Sequence, residues 1–144
     1  MIQECNECKS KTMTVEPSVV YIAGPISGIP EYNFPAFYEA EDLIRMVYPN
    51  SLILNPAKMD IDSGFDPNST KLETTHDLFR MHRDCMGRDV NAILDNTPDT
   101  YVRDSCLLVL LDNYHNSRGV LVELSLCTYL DWSVTSIAQF RRGK

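Results

Sequence analysis

Residues 105–111, SCLLVLL, are the most apolar run in the chain, and they constrain the fold more than any other feature. A short continuous apolar run rich in branched side chains reads as a strand buried on both faces, which is the pattern of a parallel sheet covered by helices. Residues 18–23 (SVVYIA) share that character, and 51–54 (SLIL) and 132–137 (WSVTSI) read as two further short strands. Between them the period changes to that of a helix. Phe37, Ala40, Leu43, Ile44 and Val47 mark one over 34–47, with Pro35 suited to a first helical position. Leu78, Met81, Cys85, Val90, Ile93 and Leu94 mark a second over 77–95, weakened in its middle by Gly87. Residues 119–131 (GVLVELSLCTYLD) mark a third.

Strands alternating with helices predict an α/β fold. The expectation is a parallel sheet of about four to five strands with helices on both faces, a flavodoxin/Rossmann-like three-layer sandwich. Residues 57–75, rich in Asp, Ser, Gly, Asn, Pro and Thr, read as a long mobile loop of the kind that serves as a lid. Residues 96–103 read as a turn around Pro98, and AQFRRGK as a tail. At 144 residues the chain predicts a flexible leader over 1–17 and a single domain over 18–144.

The formal net charge of −7 disfavours polymeric nucleic acid and anionic membranes. No apolar run approaches the ~20 residues of a membrane span. The opening MIQECNECKSKTMTVEP lacks the apolar core of a signal peptide. Five cysteines, three of them in apolar or helical contexts (Cys85, Cys106, Cys127), suggest reduced thiols and a cytoplasmic setting. Cys5 and Cys8 form a CxxC without a second pair; it reads as part of the leader, with adventitious metal or redox chemistry as the alternatives. His76, His82 and His115 lack ligand spacing, so no metal site is expected.

In a parallel α/β sheet the ligand lies beyond the carboxyl ends of the strands. Two loops qualify, 24–33 and 112–118. The first runs Gly24, Pro25, Ile26, Ser27, Gly28, a glycine-bearing turn before a helix of the kind that takes an anion. The second ends in Ser117, Arg118 and Gly119, where Ser117 reads either as a helix cap or as a hydroxyl presented to an anion. Glu123 interrupts the apolar stretch GVLVELSLC near a helix start; it is either a solvated first-turn carboxylate or a semi-buried one, held ionised at the mouth of the sheet. Tyr21 ends the first strand, and a buried tyrosine needs a hydroxyl partner, for which a carboxylate is suited. Asp89, in GRDVNAIL, taken alone reads as a solvated face residue.

YIAGPISG, RDVNAIL and NSRGVLVEL, in that order, resemble the nucleoside 2-deoxyribosyltransferase superfamily over roughly residues 18–137. That superfamily includes the 2-deoxynucleoside 5-monophosphate N-glycosidases and phage-type relatives of unassigned function. The resemblance implies that Glu123 attacks the anomeric carbon of the sugar, that Tyr21 orients it, and that Asp89 addresses the base and assists its departure. Nucleoside-specific transferases of the family tend to carry an aspartate six positions before the nucleophile and the monophosphate hydrolases a serine; here the residue is Ser117. A carboxylate there would repel a 5-phosphate, whereas a hydroxyl and the Gly119 amide can donate to it. The hydrolases also carry a basic residue in the first loop where this chain has Ser27.

The expected activity is therefore hydrolysis of the N-glycosidic bond of a (deoxy)nucleoside 5-monophosphate. The cradle would be Gly24 to Gly28 with Ser117, Arg118 and Gly119. No cofactor is required, and the partners expected are a small nucleotide or nucleoside and further copies of the chain, as a homodimer or higher homo-oligomer. The alternatives are base exchange by a transferase and a non-catalytic nucleotide-binding module. The joint presence of Tyr21, Asp89 and Glu123 weighs against the module, which has no need of a carboxylate aimed at the sugar.

Overall fold

The computed structural model describes residues 15–26, 29–63 and 75–142. Its elements are β1 (Val19–Ala23), α1 (Phe34–Val47), β2 (Leu52–Leu54), α2 (Pro56–Asp62), α3 (Thr75–Asp95), β3 (Cys106–Leu110), α4 (Arg118–Tyr129), β4 (Ser133–Ser136) and α5 (Ile137–Arg142), with 3-10 turns at Pro30–Asn33 and Tyr114–Asn116. All strand pairings are parallel and the sheet order is β2-β1-β3-β4. The chain thus has the expected α/β architecture, with a sheet of four strands among the described residues.

Strand alternation sorts the core into two layers. Val20 and Ile22 of β1 and Leu107 and Val109 of β3 face Phe37, Ala40 and Ile44 of α1 and Ile137 and Phe140 of α5. Val19, Tyr21 and Ala23 with Leu108 and Leu110 face the other way, toward Ile93 of α3 and Val120 and Cys127 of α4. Every residue of β1 and β3 is buried, so these two strands form the centre of the sandwich. Each large apolar side chain removed from water there contributes about 1.5–3 kcal/mol before entropy is counted. Among the described residues no helix is long and apolar enough to cross a membrane.

Two elements depart from the sequence expectation. The first part of the presumed 57–75 loop is helix α2. Asn55 caps it, accepting from the Ala57 amide at 2.9 Å, and Pro56 fills its first position. The Asn55 amide also donates to Glu41 Oε1 at 3.0 Å and to the Phe37 carbonyl at 3.3 Å, which fastens α2 to α1. Residues 64–74 of that loop, and residues 1–14 of the leader with Cys5 and Cys8, lie outside the described residues. The presumed tail carries helix α5, anchored by Ile137 and Phe140, which are 1% and 2% exposed.

The sheet order places β1 between β2 and β3, so the chain moves outward in opposite directions from the β1/β3 pair. That is the switch point at which connections diverge and a crevice opens. The loops after β1 and β3 both lie there. Ala23 pairs with Leu110, and the Leu111 amide donates to the Ala23 carbonyl at 2.8 Å, so the two strands end level with each other.

Candidate active site

Helix α4 turns Val120, Glu123 and Cys127 toward the sheet, and these are its buried residues. Their three- and four-residue spacing makes one stripe. Glu123 therefore occupies a core-facing position and is only 5% exposed. The reading of Glu123 as a solvated first-turn carboxylate is excluded. It sits under Tyr21, the third residue of β1, whose hydroxyl donates to Glu123 Oε2 at 2.8 Å. Tyr21 is fully buried, and burial together with the neighbouring carboxyls pushes its own proton affinity well above the usual range, so it acts as a donor.

Asp89 comes from α3. One helical turn before the buried Ile93, it shares that inward face and is 7% exposed. It is not the solvated residue that pattern alone suggests. Burial pushes its carboxyl up to about 7; a hydrogen bond with Glu123 opposes this, the Asp60 charge adds to it, and Arg88 and Tyr21 oppose it. Burial likewise pushes Glu123 well above the usual carboxylate range; repulsion from Asp89 adds to this and the Tyr21 hydrogen bond opposes it. Two carboxyls in one low-dielectric pocket resist simultaneous ionisation. Burial and mutual repulsion therefore raise both carboxyls, and the pair holds a proton more readily than two separate carboxylates would. The Tyr21 hydroxyl donates to Glu123 Oε2, while Asp89 Oδ1 is buried without a hydrogen-bond partner.

Asp89 and Glu123 open onto a cleft of about 840 Å³. Ligand sites typically enclose ~300–1,000 Å³. Gly24, Pro25 and Ile26 line it from the first loop and Ser117, Arg118 and Gly119 from the second; Ser27 and Gly28 lie outside the described residues. Ser117 is the N-cap of α4, its Oγ accepting from the Val120 amide at 3.2 Å. Its hydroxyl hydrogen remains available to an incoming acceptor. Gly24 has a packing reason for its identity, because a Cβ there would stand 2.6 Å from Leu111 Cδ1. Glycine is what lets β1 and β3 end side by side at the cleft.

Behind that loop Glu31, Tyr32 and Asn33 take left-handed φ values of 59°, 55° and 61°. Asparagine tolerates this region, and Asn33 is fixed by a 2.8 Å bond from Nδ2 to the Pro25 carbonyl. Tyr32 reaches the cleft wall.

Several lining residues were not singled out from the sequence. Phe79, Met81 and Met86 of α3 give the cleft an apolar side. Asp60 of α2, 5% exposed, forms a 2.9 Å ion pair with Arg88 beside Asp89. The Asn55-Pro56 cap signal could have revealed α2, and with it the placement of Asp60. His82 also lines the cleft, and among the described residues no cluster of three or more His, Cys, Asp or Glu is placed to hold a metal.

A family model described as "Domain of unknown function (DUF4406)" matches residues 18–80. That segment runs from β1 into α3, so it contains Tyr21, the glycine loop and Asp60 but neither Asp89 nor Glu123. No curated protein and no solved structure matches the chain.

Proposed function

We propose that this chain is an N-glycosidase that hydrolyses the bond between base and sugar in a (deoxy)nucleoside 5-monophosphate. The observation that carries the reading is the buried Glu123, hydrogen-bonded to Tyr21 at 2.8 Å and coupled to Asp89 at the mouth of a switch-point cleft. A structural role alone does not call for two mutually repelling carboxyls in the core beside a cavity.

The chemistry follows from the pair. A Glu123 oxygen attacks the anomeric carbon as the carbon–nitrogen bond breaks, through an oxocarbenium-like transition state. The departing nitrogen takes the bonding electrons and a proton from Asp89, leaving a glycosyl ester on Glu123. Asp89, now ionised, removes a proton from water as that water attacks the anomeric carbon. Sugar phosphate is released, Glu123 leaves as carboxylate and Asp89 is protonated again. One proton shared between two carboxyls is what this cycle needs.

The Ser117 hydroxyl and the amide-rich start of α4 favour an anionic group on the sugar, and a carboxylate at position 117 would oppose one. The apolar wall of Phe79, Met81 and Met86 suits the face of a base. The test is a panel of nucleosides and 5-monophosphates incubated with the parent, Ser117→Ala and Ser117→Asp, with released base detected by chromatography. The parent should prefer monophosphates. Ser117→Ala should lose about tenfold in kcat/KM on them, the equivalent of one hydrogen bond to a charged group. A parent that prefers free nucleosides, or a Ser117→Asp protein with undiminished monophosphate activity, would overturn the phosphate assignment in favour of base exchange between nucleosides.

A further inference from the structure

A third acid stands behind the carboxyl pair. Asp60 lines the cleft from α2, and its Oδ1 accepts from Arg88 Nη2 at 2.9 Å. The same nitrogen lies 3.3 Å from Cys85 Sγ. Arg88 precedes Asp89 in α3, and the two residues leave a matched pair of atoms unsatisfied: Arg88 Nε, a donor, and Asp89 Oδ1, an acceptor, are both buried without a hydrogen-bond partner. An unpaired buried donor and acceptor on neighbouring residues is a costly arrangement, and here the guanidinium is engaged elsewhere. The element that draws the guanidinium the other way is Asp60.

We propose that Asp60 is a positioning residue of this site: its carboxylate anchors the Arg88 guanidinium away from Asp89 and so keeps the Asp89 carboxyl available as the proton donor. The proposal rests on the reading of Asp89 as the acid that assists base departure. Asp89 is faced by Glu123 from α4, Tyr21 from β1, Asp60 from α2 and, on its own helix, Arg88 and Cys85. Burial dominates its protonation and the Glu123 hydrogen bond opposes it; the Asp60 charge acts with burial, and Arg88 and Tyr21 act against it. Removing the Asp60 charge would end its repulsion and release Arg88 toward Asp89. Both changes favour the ionised form, so the acid would be spent before substrate arrives.

The experiment uses the full chain labelled with carboxyl-carbon-13 aspartate, with the Asp89 resonance assigned by its loss in Asp89→Asn. In Asp60→Asn the Asp89 titration midpoint should fall by about one pH unit or more relative to the parent. The alkaline limb of kcat/KM should move with it, lowering base release at pH 8 by roughly tenfold while the plateau below the midpoint is unchanged. Asp60→Glu should restore both. A midpoint within about 0.3 of a unit of the parent's in folded Asp60→Asn would overturn the proposal.

If Asp60→Asn fails to fold, the paired variant Asp60→Asn/Arg88→Gln removes both charges together. With no guanidinium to swing over, its Asp89 midpoint should stay within about half a unit of the parent's; a fall of about a full unit there would show Asp60 acting without Arg88 and would equally overturn the proposal. The titration reads Asp60 even in a protein that releases no base, whereas an active parent with an unmoved titration leaves the glycosidase reading standing and removes this one.

Discussion

Replacing Asp89 with asparagine should make the protein more stable at alkaline pH and leave it nearly unchanged in acid. A carboxyl whose proton affinity is higher in the folded chain than in the unfolded one stabilises the fold while both states are protonated. That contribution is lost as pH rises through the folded-state value. For Asp89 the window runs from the unfolded value of 3.8 to a folded value of about 7. Across the whole window the linked free energy is on the order of 4 kcal/mol, and between pH 5 and pH 8 it is about 2–3 kcal/mol.

The amide of the Asp89→Asn variant would carry no such dependence, and it could donate to the neighbouring Glu123 in place of the repulsion that now exists. Denaturant unfolding of parent and Asp89→Asn at several pH values between 5 and 8 gives the difference directly. It should grow with pH in favour of the variant, by about 2–3 kcal/mol between pH 5 and pH 8. A stability difference flat across that range would show that Asp89 is not held protonated by the fold and would refute the shared-proton account.

Tyr21→Phe removes the 2.8 Å hydrogen bond to Glu123 and should lower kcat/KM for base release by about ten- to a hundredfold with a modest loss of stability; unchanged kinetics would remove Tyr21 from the site. Gly87 lies in the interior of α3 with open space where a Cβ would go, so Gly87→Ala should raise unfolding stability by roughly 0.5–1 kcal/mol; a destabilised variant would contradict that placement. Light scattering at micromolar concentration should show a homo-oligomer, as the family resemblance implies; a clean monomer would contradict it.

The sandwich was legible because its signals are local and strong. The helical period over 34–47 coincides with α1, and the SCLLVLL run contains β3. Helix α2 was missed because polar and turn-forming residues downstream of it outweighed the Asn55-Pro56 start. Helix α5 was missed because two buried side chains in a short basic segment are too few to establish a period. At the site, Glu123 stood out as a charge in an apolar stripe and Tyr21 as a polar side chain in an apolar strand, although it lies at the middle of β1 and not at its end. Their bond spans 102 residues, so only the order of strands in the sheet brings them together. Asp60 gave no such local signal, since its meaning lies in an ion pair with Arg88 across 28 residues. The ionisation of the carboxyl pair was not legible either, because it depends on how deeply each group is buried and on which charges surround it.

The central claim is that Glu123 attacks the sugar, and the measurement that meets it most directly is mass spectrometry of the protein quenched during turnover of a 5-monophosphate, with Glu123→Gln alongside. The account predicts a sugar-phosphate adduct on the peptide carrying Glu123 in the parent, no adduct in Glu123→Gln, and a loss of base release of about a thousandfold or more in a variant that remains folded. Base release by Glu123→Gln within a few-fold of the parent, or an adduct on another residue, would contradict it.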